Sequence, residues 1–374
     1  MVKGKIWVAV AALGLVAGAA QAKDLEIGAL FPMSGPNAVY GEVFRSGTDL
    51  AVAHINATHM LKEPLKILYE DSQALPQPAV VAMTKLVDVE QVPYVLTAFT
   101  GVSKAISTLA QRNQVIAVNG GGVGPDLAKL GPYFWNVIPL VNFEVHGMVP
   151  YLAEHGMKKV ALIYVDDPLG QSILDELKAT LPGVGGKLVA EMSVPSSAQN
   201  FAAVAAKVRA SGANAVYIAS YGAQQLQIAK QLRDNGVKAQ FASYSGFSVP
   251  DALKLPEAQG LLYTTQAVNL KADDPVTKLF AEDYAKAYPG KTPSAYVVNY
   301  YNAVLLYAQL AQGVEKAGKP ITGPNLLAER KAMKRFDLVG GTVSFAANGT
   351  LVAPMQISKI EGGKGVPLEV IKAE

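Results

Sequence analysis

The chain has 374 residues, no cysteine and a formal net charge of +3. This length predicts about two domains, and so small a charge excludes a broad basic surface for nucleic acid. The absence of cysteine excludes disulfide bonds, and it also excludes a lipid anchor at the mature N-terminus, which requires a cysteine.

The first 22 residues have the features of a cleaved signal peptide. Two lysines precede an apolar run over residues 6–19, and residues 20–22 (Ala-Gln-Ala) form a small-x-small cleavage site. The run is about 14 residues long, whereas a membrane-spanning helix needs ~20. We therefore predict cleavage after Ala22 and a periplasmic location, because an exported protein without a lipid is retained by an outer membrane.

Short apolar strands alternate with amphipathic helices in two successive series. The first has predicted strands at 26–31, 65–69, 94–96 and 115–118, and helices at 41–56, 77–90 and 103–111. The second, after a change near 139–142, has strands at 160–164, 188–192, 215–219, 240–242 and 260–264, and helices at 143–155, 171–181, 201–211 and 223–235. Such alternation predicts a parallel sheet covered by helices on both faces in each half.

The pattern changes again after residue 266. Helices are predicted at 275–288, 294–315 and 324–334, and strands at 341–345 and 355–360. We expect the helices to pack on the first half and the last strands to return to the second, so that the chain crosses between lobes three times. The predicted fold class is α/β, with two doubly wound parallel-sheet lobes joined by a three-strand hinge. Lobe 1 is predicted to comprise 23–140 plus 268–339, and lobe 2 is predicted to comprise 141–267 plus 340–374.

Six loops near the strand ends share small residues, hydroxyls and aromatic rings. They cover residues 32–41, 97–103, 119–125, 166–170, 220–222 and 243–247. Any one of them is explained by turn formation alone. Ligands of open α/β sheets sit beyond the carboxyl ends of the strands, and six such loops across two sheets favour a shared binding cleft.

Catalytic and cofactor motifs do not stand out in the sequence. The glycine run 120–122 lacks the G-x-G-x-x-G spacing, and no Walker A lysine is present. The four histidines have no partners at metal-ligand spacing, and we find neither a G-x-S-x-G motif nor a nucleophile with a base. We predict that the protein is not an enzyme and takes no cofactor or metal. Asp166 and Asp167 are interpreted as caps of the following helix, and Trp135 as a core residue.

Several segments carry a resemblance to a known family. They are residues 27–36 (IGALFPMSGP) with Tyr40 and Gly41, 69–72 (YEDS), 159–164 (KVALIY), Asp166 with Gly170, 220–222 (SYG) and 294–296 (SAY). In order and spacing they resemble the leucine/isoleucine/valine-binding protein family, the periplasmic receptors of branched-chain amino acid ABC importers. The resemblance covers essentially the whole mature chain and implies a type I two-lobed receptor that closes on its ligand and presents it to a membrane permease.

The resemblance also implies where a ligand carboxylate would be held. The residues concerned are Thr100 and Gly101, then Gly121, Gly122 and Val123, with Ser34 and Tyr40 alongside and Tyr221 opposite in the second lobe. Val123 stands where a threonine is common, so this pocket relies more on backbone groups than is usual in the family.

The ammonium end departs from the family pattern. Amino acid binders place an acidic side chain where this chain has Ser245, between Tyr244 and Gly246, and Leu169 replaces a common aromatic residue. Burying an ammonium without an anion is costly. We therefore predict a carboxylate ligand without an α-ammonium group.

The predicted pocket has an apolar and partly aromatic lining. Its lining residues are Tyr40, Phe99, Tyr221, Tyr244 and Phe247, which suit an aromatic acid such as a benzoate or a phenylpropanoid. A branched-chain or other hydrophobic amino acid remains the alternative ligand. A receptor that signals to a kinase or chemoreceptor would have the same sequence features. We expect a monomer that binds no nucleic acid.

Overall fold

The computed structural model describes residues 25–372, and its first lobe is built on a five-stranded parallel sheet. The strands are β1 (Leu25–Phe31), β2 (Leu65–Asp71), β3 (Tyr94–Thr97), β4 (Ile116–Asn119) and β5 (Phe134–Asn136), in the order β2-β1-β3-β4-β5. The helices of this part are α1 (Ala38–Ala57), α2 (Pro76–Thr84) and α3 (Thr100–Asn113). Every residue of β3 and β4 is buried, as in parallel sheets covered on both faces. The predicted signal peptide, 1–22, lies outside the described residues.

The second lobe is built on a seven-stranded mixed sheet. Its strands are β6 (Lys159–Val165), β7 (Lys187–Val194), β8 (Ala215–Ala219), β9 (Gln240–Ser243), β10 (Leu262–Gln266), β14 (Met355–Glu361) and β15 (Lys364–Ile371). Its helices are α4 (Val141–Glu154), α5 (Pro168–Thr180), α6 (Ala202–Ala210), α7 (Gly222–Asp234) and α8 (Pro250–Lys254). The strand order is β15-β14-β10-β9-β8-β6-β7, and the pairs β10–β14 and β14–β15 are antiparallel. The predicted fold class, α/β with parallel sheets in two lobes, is confirmed.

Three further helices follow the second lobe: α9 (Pro275–Ala287), α10 (Ala295–Lys316) and α11 (Gly323–Met333). Helix α10 lies along α1 of the first lobe. The two helices approach closely at Gly47, where a Cβ atom would come within 2.2 Å of the Val297 carbonyl oxygen. Between Leu25 and Lys372, no helix is long and apolar enough to cross a membrane.

A small third sheet corrects one prediction. It consists of β11 (Arg335–Leu338), β12 (Gly341–Phe345) and β13 (Leu351–Val352). The expectation that 341–345 joins the second sheet is wrong, because β12 folds back onto β11 through Gly340 and Gly341. Their φ angles, +99° and +122°, are open to glycine but strained for other residues. Of the last two predicted strands, only the one matching β14 pairs within the second sheet.

The chain passes between the two large sheets three times. The passages follow β5, β10 and β13, and a bridge between Asn136 and Thr350 ties the region before β13 to β5. The third passage therefore lies after Val352, further along than the boundary at 340 that we predicted. Trp135 on β5 is fully buried, as expected, and the Arg330 guanidinium lies 4.4 Å from its ring.

Candidate ligand-binding cleft

A cavity of about 150 Å³ lies between the two lobes. It sits beyond the carboxyl ends of β3 and β4 on one side and of β6, β7, β8 and β9 on the other, where ligands of open α/β sheets bind. Ten of the thirteen predicted site residues line it: Tyr40, Phe99, Thr100, Gly101, Gly121, Gly122, Val123, Leu169, Tyr221 and Tyr244. Residues that the sequence reasoning did not assign to the pocket wall also line it: Ala74, Leu75, Pro76, Asp167, Pro168, Ser196 and Tyr296.

The first-lobe wall contains the start of helix α3. Phe99 occupies the N-cap position with φ +62° and makes no side-chain capping hydrogen bond. A bulky residue with positive φ is uncommon, and such residues cluster at functional sites. The amides of Thr100 and Gly101, in the first turn, have no acceptor within the helix. Together with the helix dipole, they form a setting that attracts an anion.

The glycine loop after β4 is arranged differently from the prediction. The amides of Gly121 and Gly122 donate to Asn119 Oδ1 at 3.2 and 2.6 Å. They are therefore already paired and are not directed at a ligand carboxylate. Glycine is needed here for packing, since a Cβ atom on Gly122 would lie 2.8 Å from the Phe99 carbonyl carbon. The sequence pattern marked Asn119 only as the first residue of the loop, so this internal pairing was missed.

Aromatic rings from both lobes surround the cavity. Phe99 packs edge-on against Tyr40 at 5.5 Å and against Tyr221 of the second lobe at 5.4 Å between ring centroids. Tyr296 on α10 adds a ring 6.0 Å from Tyr40. Edge-to-face packing of this kind leaves ring faces and edges available to an inserted apolar or aromatic group.

Hydrogen bonds join the lobes beside the cavity. The Tyr40 hydroxyl donates to the Gly246 carbonyl at 3.0 Å and accepts from Gln225 Nε2 at 3.2 Å. Gly222, at the start of α7, has φ +60°, and a Cβ atom there would lie 2.2 Å from Asn37 Oδ1 of the first lobe. The two walls are thus in direct contact, and close approach at Gly222 depends on the missing side chain.

A carboxylate lies on the second-lobe wall. Asp167 caps α5, as predicted, because its Oδ1 accepts from the Gly170 amide at 2.9 Å. Its Oδ2 accepts from the Tyr221 hydroxyl at 2.6 Å. Burial raises the pKa of the Asp167 carboxyl, although hydrogen bonds from Tyr221 and Gly170 oppose that shift. The neighbouring Asp166 is exposed and does not line the cavity.

Three predicted site residues do not line the cavity. Ser34 is exposed, and its hydroxyl donates to Asp71. Phe247 is fully buried in the core. Ser245 is also buried, and both its amide and its hydroxyl donate to Glu144, at 2.7 and 2.8 Å. The short 3₁₀ turn over Ser245–Ser248 directs the side chains of Ser245 and Phe247 into the second lobe.

Glu144 on α4 is a buried carboxylate that the sequence reasoning missed. Besides Ser245, it accepts a hydrogen bond from Thr264 Oγ1 at 2.7 Å. Burial raises the pKa of Glu144 to about 7, although these hydrogen bonds oppose the shift. The Tyr296 hydroxyl donates to Ser245 Oγ at 3.3 Å, so Glu144 supports the cavity wall from behind. An acidic residue among the mostly apolar positions of α4 offers no sequence signal for this role.

Comparisons with known proteins cover nearly the whole chain. The family profile described as "Periplasmic binding protein" matches residues 24–364. A curated relative from Brucella melitensis, Leu/Ile/Val-binding protein homolog 3, is 29% identical over 355 residues, which span 92% of this chain and 94% of the relative.

Two solved structures are similar in fold. The branched-chain amino acid binding protein LivJ of Streptococcus pneumoniae, in complex with isoleucine, has a TM-score of 0.84 and 22% identity, covering 94% of this chain and 100% of LivJ. An ABC transporter solute-binding protein of R. palustris, in complex with 4-hydroxybenzoate, has a TM-score of 0.82 and 22% identity, covering 94% of this chain and 98% of that protein.

Proposed function

This chain belongs to the periplasmic binding protein family, and from that premise we propose that it captures a small aromatic carboxylate between its two lobes and delivers it to the permease of an ABC importer. Export through the predicted signal peptide places the protein on the route of such a ligand. Hinge closure around the ligand is the expected motion, since both lobes contribute residues to the cavity wall.

The observation that carries the proposal is the aromatic wall around the cavity. Its volume is about 150 Å³, and an apolar protein cavity of roughly that volume binds benzene. Rings of Tyr40, Phe99, Tyr221, Tyr244 and Tyr296 lie on the wall. A ligand with a flat ring gains both apolar burial and edge-to-face contacts in such a space.

The start of α3 is the candidate site for the ligand carboxylate. Thr100 and Gly101 line the cavity, and among the residues around the described cavity there is no lysine, arginine or histidine. An anion would therefore be held by amides of the first helical turn, by the Thr100 hydroxyl and by the helix dipole. Thr100 Oγ1 accepts from the Gly124 amide at 3.0 Å, so its own proton can be donated to a ligand.

Position 245 does not bear on whether the ligand has an α-ammonium, because Ser245 does not line the cavity. Ser245 stands where the family resemblance implies an acid, and in this fold it is buried and bonded to Glu144. Both Glu144 oxygens already accept hydrogen bonds from Ser245. Asp167 is the carboxylate that remains on the described wall.

A branched-chain or other hydrophobic amino acid is the second candidate ligand. The Brucella melitensis relative is named a Leu/Ile/Val-binding protein homolog, and the Streptococcus pneumoniae structure holds isoleucine. Asp167 is the group that would meet the ammonium in that case.

Calorimetric titration of the purified protein with benzoates, coumarates and leucine decides between these ligands. We expect saturable heat with at least one aromatic acid and none with leucine. Tight leucine binding without aromatic acid binding contradicts the proposal.

A further inference from the structure

We infer that Asp167 is a specificity-determining residue that accepts a hydrogen bond from a ring hydroxyl, so that the cleft prefers hydroxylated aromatic acids to unsubstituted ones. The inference deepens the proposed function and rests on it. Asp167 lies on the wall of the cavity, in the loop between β6 and α5.

The polar groups of Asp167 and Tyr221, both on the cavity wall, have acceptor capacity left. Each carboxylate oxygen accepts one strong hydrogen bond, from the Gly170 amide and from the Tyr221 hydroxyl, and carboxylate oxygens have further acceptor capacity. Because the Tyr221 hydroxyl donates its hydrogen bond to Asp167, the Tyr221 oxygen can act toward a ligand only as an acceptor. A ligand group that meets this pair therefore has to be a donor.

The charge of Asp167 has no cationic partner on the cavity wall. The residues that line the cavity include no lysine, arginine or histidine within the described chain. The α5 helix start and the Tyr221 hydroxyl are its stabilising partners. A second carboxylate brought to this side would be repelled, which directs the ligand's own carboxylate to the start of α3 in the first lobe.

The donor-rich helix start is in the first lobe and the acceptor pair is in the second, and aromatic rings of both lobes line the cavity that they share. A ring that carries a carboxylate and a hydroxyl at different positions matches this arrangement.

The test compares two probes, 4-hydroxybenzoate and benzoate, on the wild type and on Asp167→Asn. Asparagine is as good an N-cap as aspartate, so helix α5 is retained, while the charged acceptor and the Oδ2 lone pairs are lost. We expect the wild type to bind 4-hydroxybenzoate about tenfold or more tightly than benzoate, the range for a hydrogen bond to a charged group. The variant should lose that preference.

Asp166→Asn is the matched control, since Asp166 is adjacent, exposed and off the cavity wall. It should keep the wild-type preference. Calorimetry supplies the affinities, and thermal unfolding verifies that both variants are folded. The ratio of the two affinities is a readout that a purely structural role of Asp167 would leave unchanged.

The outcomes separate the two levels of the proposal. Equal wild-type affinities for both benzoates, or an unchanged preference in Asp167→Asn, overturn the role of Asp167 and leave the aromatic acid function intact. Binding of leucine with neither benzoate overturns both, and a loss of leucine affinity in Asp167→Asn would then identify Asp167 as the ammonium partner.

Discussion

The two walls of the cleft each contain the start of a helix, and the two starts differ in chemistry. In the first lobe, α3 begins after Phe99 with no side-chain cap, so its first amides stay available at the cavity. In the second lobe, α5 begins after Asp167, whose carboxylate caps the helix and also faces the cavity. The residue at the N-cap position thus helps to make one helix start a donor site and the other an acceptor site.

This difference shows how a cleft without cationic side chains can orient a ligand. A donor wall opposite an acceptor wall favours a ligand with an acceptor at one end and a donor at the other. Backbone amides at the start of α3 provide the donors of the first wall, and the Asp167 side chain provides the acceptor of the second.

Gly101→Asp tests the donor wall and has the largest expected effect. A Cβ atom at Gly101 meets only Pro76 Cγ, at 3.7 Å, so the side chain fits, and an acid in the first turn favours the helix. The same charge repels a ligand carboxylate at a cost of several kcal/mol. We expect 4-hydroxybenzoate affinity to fall by about 100-fold or more, measured by calorimetry, with the thermal unfolding temperature unchanged or raised.

Gly101→Asn is the isosteric neutral control for that variant. It should lose much less affinity than Gly101→Asp. An equal loss in the two variants would assign the effect to side-chain size and would contradict an anion site at the start of α3.

Glu144→Gln tests, through pH, the buried carboxylate that lies behind Ser245 and Tyr296. The folded-state pKa of Glu144 is raised from 4.5 to about 7, so the folded protein holds the proton more tightly than the unfolded chain. The stability that this tighter proton binding adds to the folded state is fully present below pH 4.5 and is lost as the pH rises to about 7. At ~1.4 kcal/mol per pKa unit the loss is about 3 kcal/mol. The free energy of unfolding, measured with denaturant, should fall less between pH 5 and pH 8 for Glu144→Gln than for the wild type.

Glu154→Gln serves as the control on the same helix, where Glu154 is exposed. The free energy of unfolding of Glu154→Gln should fall between pH 5 and pH 8 by as much as that of the wild type. If the free energy of unfolding of Glu144→Gln fell as much as that of the wild type, Glu144 would not titrate in this pH range.

Gly222→Ala tests the contact between the walls and has the smallest expected effect. The added methyl group meets Asn37 Oδ1 at 2.2 Å and the Pro36 carbonyl oxygen at 3.1 Å, both in the first lobe. Closure should become less favourable and ligand affinity should fall by about tenfold, which corresponds to ~1.4 kcal/mol. Calorimetry measures the affinity, and small-angle scattering measures closure.

Gly212→Ala controls for backbone strain. Gly212 has φ +66°, close to the +60° of Gly222, with no atom within 4 Å of an added Cβ. Both variants should lose unfolding free energy through strain at positive φ, by about 1 kcal/mol. Only Gly222→Ala should lose affinity, and equal affinities in the two variants would argue against steric contact across the closed cleft.

Much of the cleft was predictable because it is built from local signals at strand ends. Thr100, Gly101 and Tyr221 stand directly after or near buried strands, and open α/β sheets place such loops together. Asp167 was predicted, together with Asp166, as a cap of the following helix, but its exposure to the cavity depends on how the lobes meet. Ser245 and Phe247 were assigned to the wall because a pattern in the loop does not show which way a 3₁₀ turn points its side chains.

The two series of strands and helices could be read from the amino-acid sequence alone, since they follow from local hydrophobic periodicity and turn residues. The lack of cysteine and the small net charge are likewise plain in the sequence. Three features became visible in the folded chain alone: Glu144 supports Ser245, Asn119 pairs with the Gly121 and Gly122 amides, and β12 belongs to a third sheet. These features depend on contacts between residues far apart in the chain or on side-chain direction, and local periodicity contains neither.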